Sequence, residues 1–433
     1  MRLLDFLEKV YLVIGLVMGL VYLYQVGYLA VGILERLRRP RRARQALTRL
    51  GRYAVLISAR NEEGVIGGLI ESLKRQDYPA ELLDIYVVAD NCTDQTDWAA
   101  CLAGATKVYV RHDMAQVGKG YALDYLWNKL AQDGLESRYE GYFIFDADNI
   151  VAPNFVSEMN RTFQSGNFAA VTGYRNSKNY GENWISAGYS VWFLREAQFV
   201  NAARMTLGLS CNVSGTGFLL SADILREKGG WPWHLLTEDI QFSAEMVAEG
   251  RKIGYCGSAV FYDEQPTSFR QSWTQRERWS KGFYQVCGKY APTLLKGMFR
   301  GGSRGFSCYD LLILVSAGVL VLLTGGVALT GTAVALAGAE TVALARTVAA
   351  VAVTTLWRSA VAFYRGMFLY GLVTVVSEWK AIRATPLQKL GYLVTFPLFM
   401  MTYLPISVAA FFRKVEWKPI AHKATVMKLD SAA

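Results

Sequence analysis

The stretch from Val10 to Ile33 holds no charged residue and runs directly into a cluster of arginines: Arg36, Arg38, Arg39, Arg41, Arg42, Arg44, Arg49 and Arg52, opposed only by Glu35. An apolar run of that length crosses a bilayer core of ~30 Å. A secretory leader would have a shorter apolar core, ending at a small-residue cleavage site, and neither feature is present. Arginines stay on the cytoplasmic side, so the N-terminus is expected outside and everything after Arg36 is expected to begin in the cytoplasm of an integral plasma (inner) membrane protein. The excess of 46 Lys+Arg over 36 Asp+Glu is concentrated in this cluster. Its place beside an apolar span points to a membrane surface, so no nucleic acid partner is expected.

From Tyr53 to about Tyr262 short β-rich runs alternate with helical patterns. Strands are expected at Tyr53–Ser58, Ile85–Ala89, Lys107–Val110 and Tyr142–Phe145. Helices are expected after Val65, where Val65, Ile66, Leu69, Ile70 and Leu73 share a face, and from about Tyr121 to Leu130. This alternation predicts an α/β fold, a mostly parallel sheet with helices on both faces. Ligands bind such sheets beyond the carboxyl ends of the strands.

After about Met298 the chain turns strongly apolar. Leu311–Thr332 reads as a span and Lys389–Phe412 contains another, while Val342–Val376 is interrupted by Arg346, Arg358 and Arg365. Three crossings would put the tail outside, yet Arg413, Lys414, Lys418 and Lys423 favour the inside. Either Val342–Val376 crosses twice, or one apolar segment is re-entrant or interfacial. Pro266–Phe299 mixes Trp273, Trp279, Phe283 and Tyr290 with basic residues, as helices lying in the membrane interface do. The expected organisation is an anchor at 1–36, a catalytic domain at 37–265, interfacial helices at 266–300 and a C-terminal membrane region at 301–433.

The polar clusters sit at strand ends. Ser58-Ala59-Arg60-Asn61-Glu62 follows the first strand, Asp90-Asn91 the second, and Asp146-Ala147-Asp148 the fourth. Two carboxylates at i and i+2 past a strand can both turn to a cation, and Mg2+ or Mn2+ there would keep open positions for phosphate oxygens. An EF-hand would need Gly where Val151 stands, and a pair of solvated acids capping a turn is the plain alternative. Gly118-Lys119-Gly120 sets a cation before a helix, suited to a phosphate. It is not a P-loop, because Asp113 and Gly120 replace the leading Gly and the Ser/Thr. Gly215-Thr216-Gly217 lacks the third glycine of a dinucleotide fingerprint, where Leu220 stands. The six cysteines (Cys92, Cys101, Cys211, Cys256, Cys287, Cys308) and three histidines (His112, His234, His422) show no metal-ligand spacing. Any metal should therefore be a hard one on oxygen ligands.

Further on stand Thr237-Glu238-Asp239 and Gln275-Arg276-Glu277-Arg278-Trp279. With an early Asp, DxD, TED and QxxRW in that order, the chain resembles membrane-integrated family 2 glycosyltransferases of the GT-A fold, the group of cellulose, chitin and hyaluronan synthases. The resemblance implies that Glu62 and Asp90 contact the uridine of a UDP-sugar, Lys119 and Arg278 its phosphates, and Asp146 and Asp148 a diphosphate-bound metal. It implies Asp239 as general base, with Gly215, Thr216, Gly217, Glu238, Gln275 and Trp279 toward the acceptor. The function expected first is processive, inverting polymerisation of a β-linked glycan, β-glucan before an N-acetylglucosamine polymer, with export through the protein's own helices. A single transfer to a membrane lipid is the alternative. An inactive channel or assembly subunit is disfavoured because every expected acid, base and cation is in place.

Overall fold

The structure, a computed structural model, describes residues 2–38 and 49–417. Arg39, Arg41, Arg42 and Arg44 of the arginine cluster, and Lys418 and Lys423 of the tail, lie outside the described residues. One sheet of eight strands forms the centre: β1 (Tyr53–Ala59), β2 (Leu83–Asp90), β3 (Lys107–Arg111), β4 (Gly141–Asp146), β5 (Ile150–Val151), β6 (Ala170–Ser177), β7 (Phe218–Ser221) and β8 (Ile253–Asp263), in the order β3-β2-β1-β4-β7-β6-β8-β5. The four strands expected from the sequence are β1 to β4, and they pair in parallel. The strands beyond them add antiparallel pairs, β4 with β7, β7 with β6 and β5 with β8.

That topology decides which residues share a rim. β6 and β8 pair in parallel and end together, Ser177 opposite Asp263. β7 runs the other way, so its beginning, just after residues 214–217, lies beside the end of β4 and beside Thr172 and Gly173 of β6. Alternate side chains of the strands fill two cores: Leu56, Val88, Tyr142 and Ile144 on one face, Val55, Ile57, Val87, Phe143 and Phe145 on the other, all buried. Such double burial suits strands covered on both faces.

Among the described residues, four helical stretches are long and apolar enough to cross a membrane: Leu3–Leu37, Gly302–Ala337, Val342–Ser377 and Pro386–Phe412. The first is kinked at Leu23, between helices Arg2–Tyr22 and Tyr24–Arg38. Val342–Ser377 is one uninterrupted helix, so it does not cross twice. Pro386–Phe412 instead begins against the catalytic domain and ends against helix Phe269–Met298, which follows that domain. Gln388 Nε2 donates to Gly181 O (2.9 Å), just after Asn176 Nδ2 donates to Ala381 O (3.0 Å). At the far end Arg413 pairs with Glu277 (3.6 Å) and Tyr284 donates to Ser407 O (3.0 Å). The segment breaks at Thr402 between helices Pro386–Met401 and Tyr403–Phe412, and fully buried Arg276 bonds Thr402 Oγ1 (2.7 Å) and Phe399 O (3.2 Å) there. Both ends of the segment thus lie on the side of the catalytic domain, the arrangement that a re-entrant or interfacial piece would have.

Where interfacial helices were expected, the described residues form a single helix, Phe269–Met298, with Pro292 inside it. Gly282 lets this helix meet the start of helix Glu238–Ala248: a Cβ there would lie 2.5 Å from Thr237.

Candidate active site

The rim of the sheet opens into a cavity of about 1100 Å³, lined by Glu62, Asp90, Lys119, Asp146, Asp148, Gly215, Glu238, Asp239, Gln275, Arg278 and Trp279. Residues spread over more than 200 positions of sequence thus converge because strand ends and helix starts meet there. The turns after β1 and β2 carry Asn61 (φ 59°) and Asn91 (φ 53°) in the left-handed region, which Asn tolerates. Asn61 Oδ1 accepts from Thr93 N (2.7 Å), tying the two turns together. Asp90 is buried, and Arg111, its register partner on β3, donates to it at 2.6 Å.

Lys119 opens helix Lys119–Gln132 and bonds Asp146 and the carbonyl of Gly215 (2.7 Å). Asp148 is buried and accepts from the Glu264 N–H (3.0 Å) and from Asn149 Nδ2 (3.1 Å). Among the described residues no three His, Cys, Asp or Glu side chains close on one point. The donor set is all carboxylate oxygen and would let Asp146 and Asp148 supply two of the six ligands a small divalent cation takes, leaving room for a diphosphate and water. The residues fit Mg2+ or Mn2+ on that footing.

Glu238 and Asp239 are the first residues of helix Glu238–Ala248. Burial, and then the charge of Asp239, push Glu238 up to about 7. Asp239 is also raised by burial, although the N–H groups of Ile240 and Gly215 and the charge of Lys119 pull the other way. Two carboxyls that resist double ionisation leave one proton in play near neutrality.

Gly215 faces the cavity, but Thr216 and Gly217 stand behind its wall. Thr216 is 1 % exposed, and its Oγ1 accepts from Asp146 N (2.9 Å) and donates to Asn149. Gly217 has φ 68° and donates to Ile144 O (2.9 Å); a Cβ there would collide with the Phe261 ring. These two hold the DxD turn rather than touch an acceptor. Trp279 lines the cavity and meets the rings of Tyr189 (5.7 Å) and Phe193 (6.3 Å) edge-on.

Other lining residues went unread in the sequence. Arg175 pairs with Asp263 (2.6 Å) and holds Ser214 O (3.0 Å). Asp263 ends β8, so the same strand-end rule that singled out Asp90 would have found it. Trp417 reaches the cavity mouth between Arg60 (5.2 Å) and Arg278 (6.0 Å), a placement that only the folded-back tail creates.

Residues 51–282 match the family model described as glycosyltransferase like family 2. The chain is 28 % identical over 235 residues to the beta-monoglucosyldiacylglycerol synthase of Synechocystis sp., covering 53 % of this chain and 47 % of that protein. It is 23 % identical over 236 residues to a poly-beta-1,6-N-acetyl-D-glucosamine synthase of Staphylococcus epidermidis, covering 53 % and 54 %. The chain spans about half the length of the curated relatives it matches. Among solved structures, the mannosyltransferase PcManGT of Pyrobaculum calidifontis in complex with GDP-Man and Mn2+ superimposes with a TM-score of 0.51 at 18 % identity, over 87 % of this chain and 100 % of that one, so the fold is shared. With the matched segment covering more than half of 433 residues and holding the strand-end acids from Glu62 to Asp263, the chain belongs to the family 2 glycosyltransferases.

Proposed function

We propose that this protein transfers one sugar from a UDP-sugar, UDP-glucose favoured, to a hydroxyl of a membrane lipid at the cytoplasmic face, with inversion. One observation carries the choice of acceptor. The cavity continues from the acids into a space between the membrane helices, where Met18, Leu29, Val321, Leu356, Phe363 and Met401 line it. The sequence puts a growing glycan first. A hydrated glycan loses hydrogen bonds against such a wall, whereas alkyl chains lose nothing. The likeness to beta-monoglucosyldiacylglycerol synthases supports the lipid.

In this reading Glu62 and Asp90 hold the nucleoside. The acceptor oxygen attacks the anomeric carbon while the bond to the diphosphate breaks on the opposite side, and Asp239 takes the hydroxyl proton. Glu238, Gln275 and Gly215 orient the acceptor. Lys119 and Arg278 stabilise charge growing on the departing diphosphate, which is the larger effect in sites of this kind. Mg2+ or Mn2+ held by Asp146 and Asp148 would add Lewis-acid neutralisation of that diphosphate.

Trp279, an aromatic face in the cavity, is the feature that favours polymer synthesis as a second reading, and the likeness to a poly-N-acetylglucosamine synthase agrees with it. Purified protein given a panel of UDP-sugars, Mg2+ or Mn2+ and extracted lipid separates the two. UDP release with a glycolipid of fixed size supports the proposal; a product that an endoglycosidase shortens overturns it.

A further inference from the structure

Three cations of the cavity are matched by a carboxylate: Lys119 by Asp146, Arg175 by Asp263, and Arg204 by Asp310. Arg195, which lines the cavity where it passes between the membrane helices, has no hydrogen bond or ion pair among the described residues. Its guanidinium lies over the rings of Trp192 (4.0 Å) and Tyr370 (5.1 Å) and its Nε is buried. The adjacent carboxylate, Glu196, accepts from Asn212 Nδ2 (3.2 Å) instead.

Several buried polar atoms on the cavity lack a hydrogen-bond partner; among them, the Tyr370 hydroxyl and Gln25 Oε1 belong to the membrane helices, away from the sugar-transfer acids. Gln25 belongs to helix Tyr24–Arg38, which packs on Glu196–Asn201, the turn immediately after Arg195. A cationic donor and a hydroxyl-bearing ring thus stand together without a carboxylate, and an amide oxygen without a partner lies on the helix packed against the next turn. Buried groups of this kind are normally satisfied, and an unmatched set marks the place of something that satisfies it. A phosphate ester fits Arg195 and Tyr370, and a hydroxyl on the same head group fits Gln25.

We propose that Arg195, Tyr370 and Gln25 form a subsite for the anionic head group of the acceptor, a phospholipid carrying a free hydroxyl, at the junction of the sugar-transfer cavity and the membrane helices. The subsite rests on the lipid-acceptor reading and narrows it from any lipid hydroxyl to one attached to a phosphate. A neutral diacylglycerol would leave Arg195 unmatched.

The full chain in nanodiscs tests this with two probes, phosphatidylglycerol and 1,2-diacylglycerol. Native mass spectrometry is expected to show retention of phosphatidylglycerol over diacylglycerol. Arg195→Gln should abolish that preference, while Arg195→Lys keeps part of it. In turnover with UDP-glucose, Arg195→Gln should raise KM for phosphatidylglycerol about tenfold or more, the cost of one charge-assisted bond, with KM for the nucleotide-sugar unchanged. Equal retention of the two lipids, or an Arg195→Gln variant that retains phosphatidylglycerol like the parent, overturns the subsite. Glucosylated diacylglycerol as sole product overturns it while leaving the lipid-acceptor reading intact, and a polymeric product overturns both.

Discussion

Asp239 and Glu238 are adjacent in sequence, Glu238 buried and Asp239 partly so, and both are raised, so in the proposed mechanism the site works by where one proton resides. Replacing Asp239 with Asn removes the proton acceptor and is expected to lower kcat by ~10²–10⁴-fold with KM for the donor little changed, read as UDP release. Because the base must be ionised, kcat/KM should rise with pH as the pair loses its remaining proton near 7. Glu238→Gln removes the repelling neighbour and should move that rise to lower pH. The effect on stability has the opposite sense. A carboxyl raised in the folded state binds its proton more tightly there than when unfolded, so stability declines as pH climbs from the ordinary carboxylate range through about 7. Denaturant titrations of Glu238→Gln at several pH values should show a flatter decline. Thr216 and Gly217 show how position and role separate at this scale: both sit in the expected loop, yet Thr216 is buried and bonds Asp146 and Asn149, while Gly217 bonds the β4 backbone at Ile144.

Among elements, the contact that matters most for the cavity wall is made inside the membrane region. Asp310, 2 % exposed on helix Gly302–Ala337, accepts from Tyr24 (2.9 Å), Tyr28 (2.6 Å) and Arg204 (2.7 and 3.0 Å). It thereby joins the first membrane helix, the helix Ala202–Thr206 and the second membrane helix at one point. Asp310→Asn would leave Arg204 buried without a counter-charge, at a cost of about 3–5 kcal/mol. The expected outcome is a clear fall in melting temperature in detergent. Asp310→Leu combined with Arg204→Met should recover much of it, because removing both charges is far less costly than stranding one. Nothing in the local sequence around Asp310 announces this role, since its four bonds come from residues more than 100 positions away.

On the scale of the whole molecule, both ends of Pro386–Phe412 lie toward the catalytic domain, which predicts which parts face which side of the membrane. The turn at Gly338–Thr341 should lie on the face opposite the catalytic domain, and Lys414 on the same face as it. Exposed Cys101 on the catalytic domain gives an internal reference. With a membrane-impermeant maleimide, Glu340→Cys is expected to label only from the face opposite Cys101, and Lys414→Cys from the same face. Labelling of Lys414→Cys from the opposite face would show that Pro386–Phe412 crosses after all. Alternating hydrophobic periods suffice to mark β1 to β4 and the apolar helices, because period and composition are local properties of the chain. The same locality made the strand-end acids and the family motifs legible. The pairing of Asp90 with Arg111, the antiparallel half of the sheet, the docking of both ends of Pro386–Phe412 and the apolar continuation of the cavity come only from the tertiary structure. Each depends on which distant surfaces meet when apolar area is buried, and no window of sequence holds both partners of such a contact.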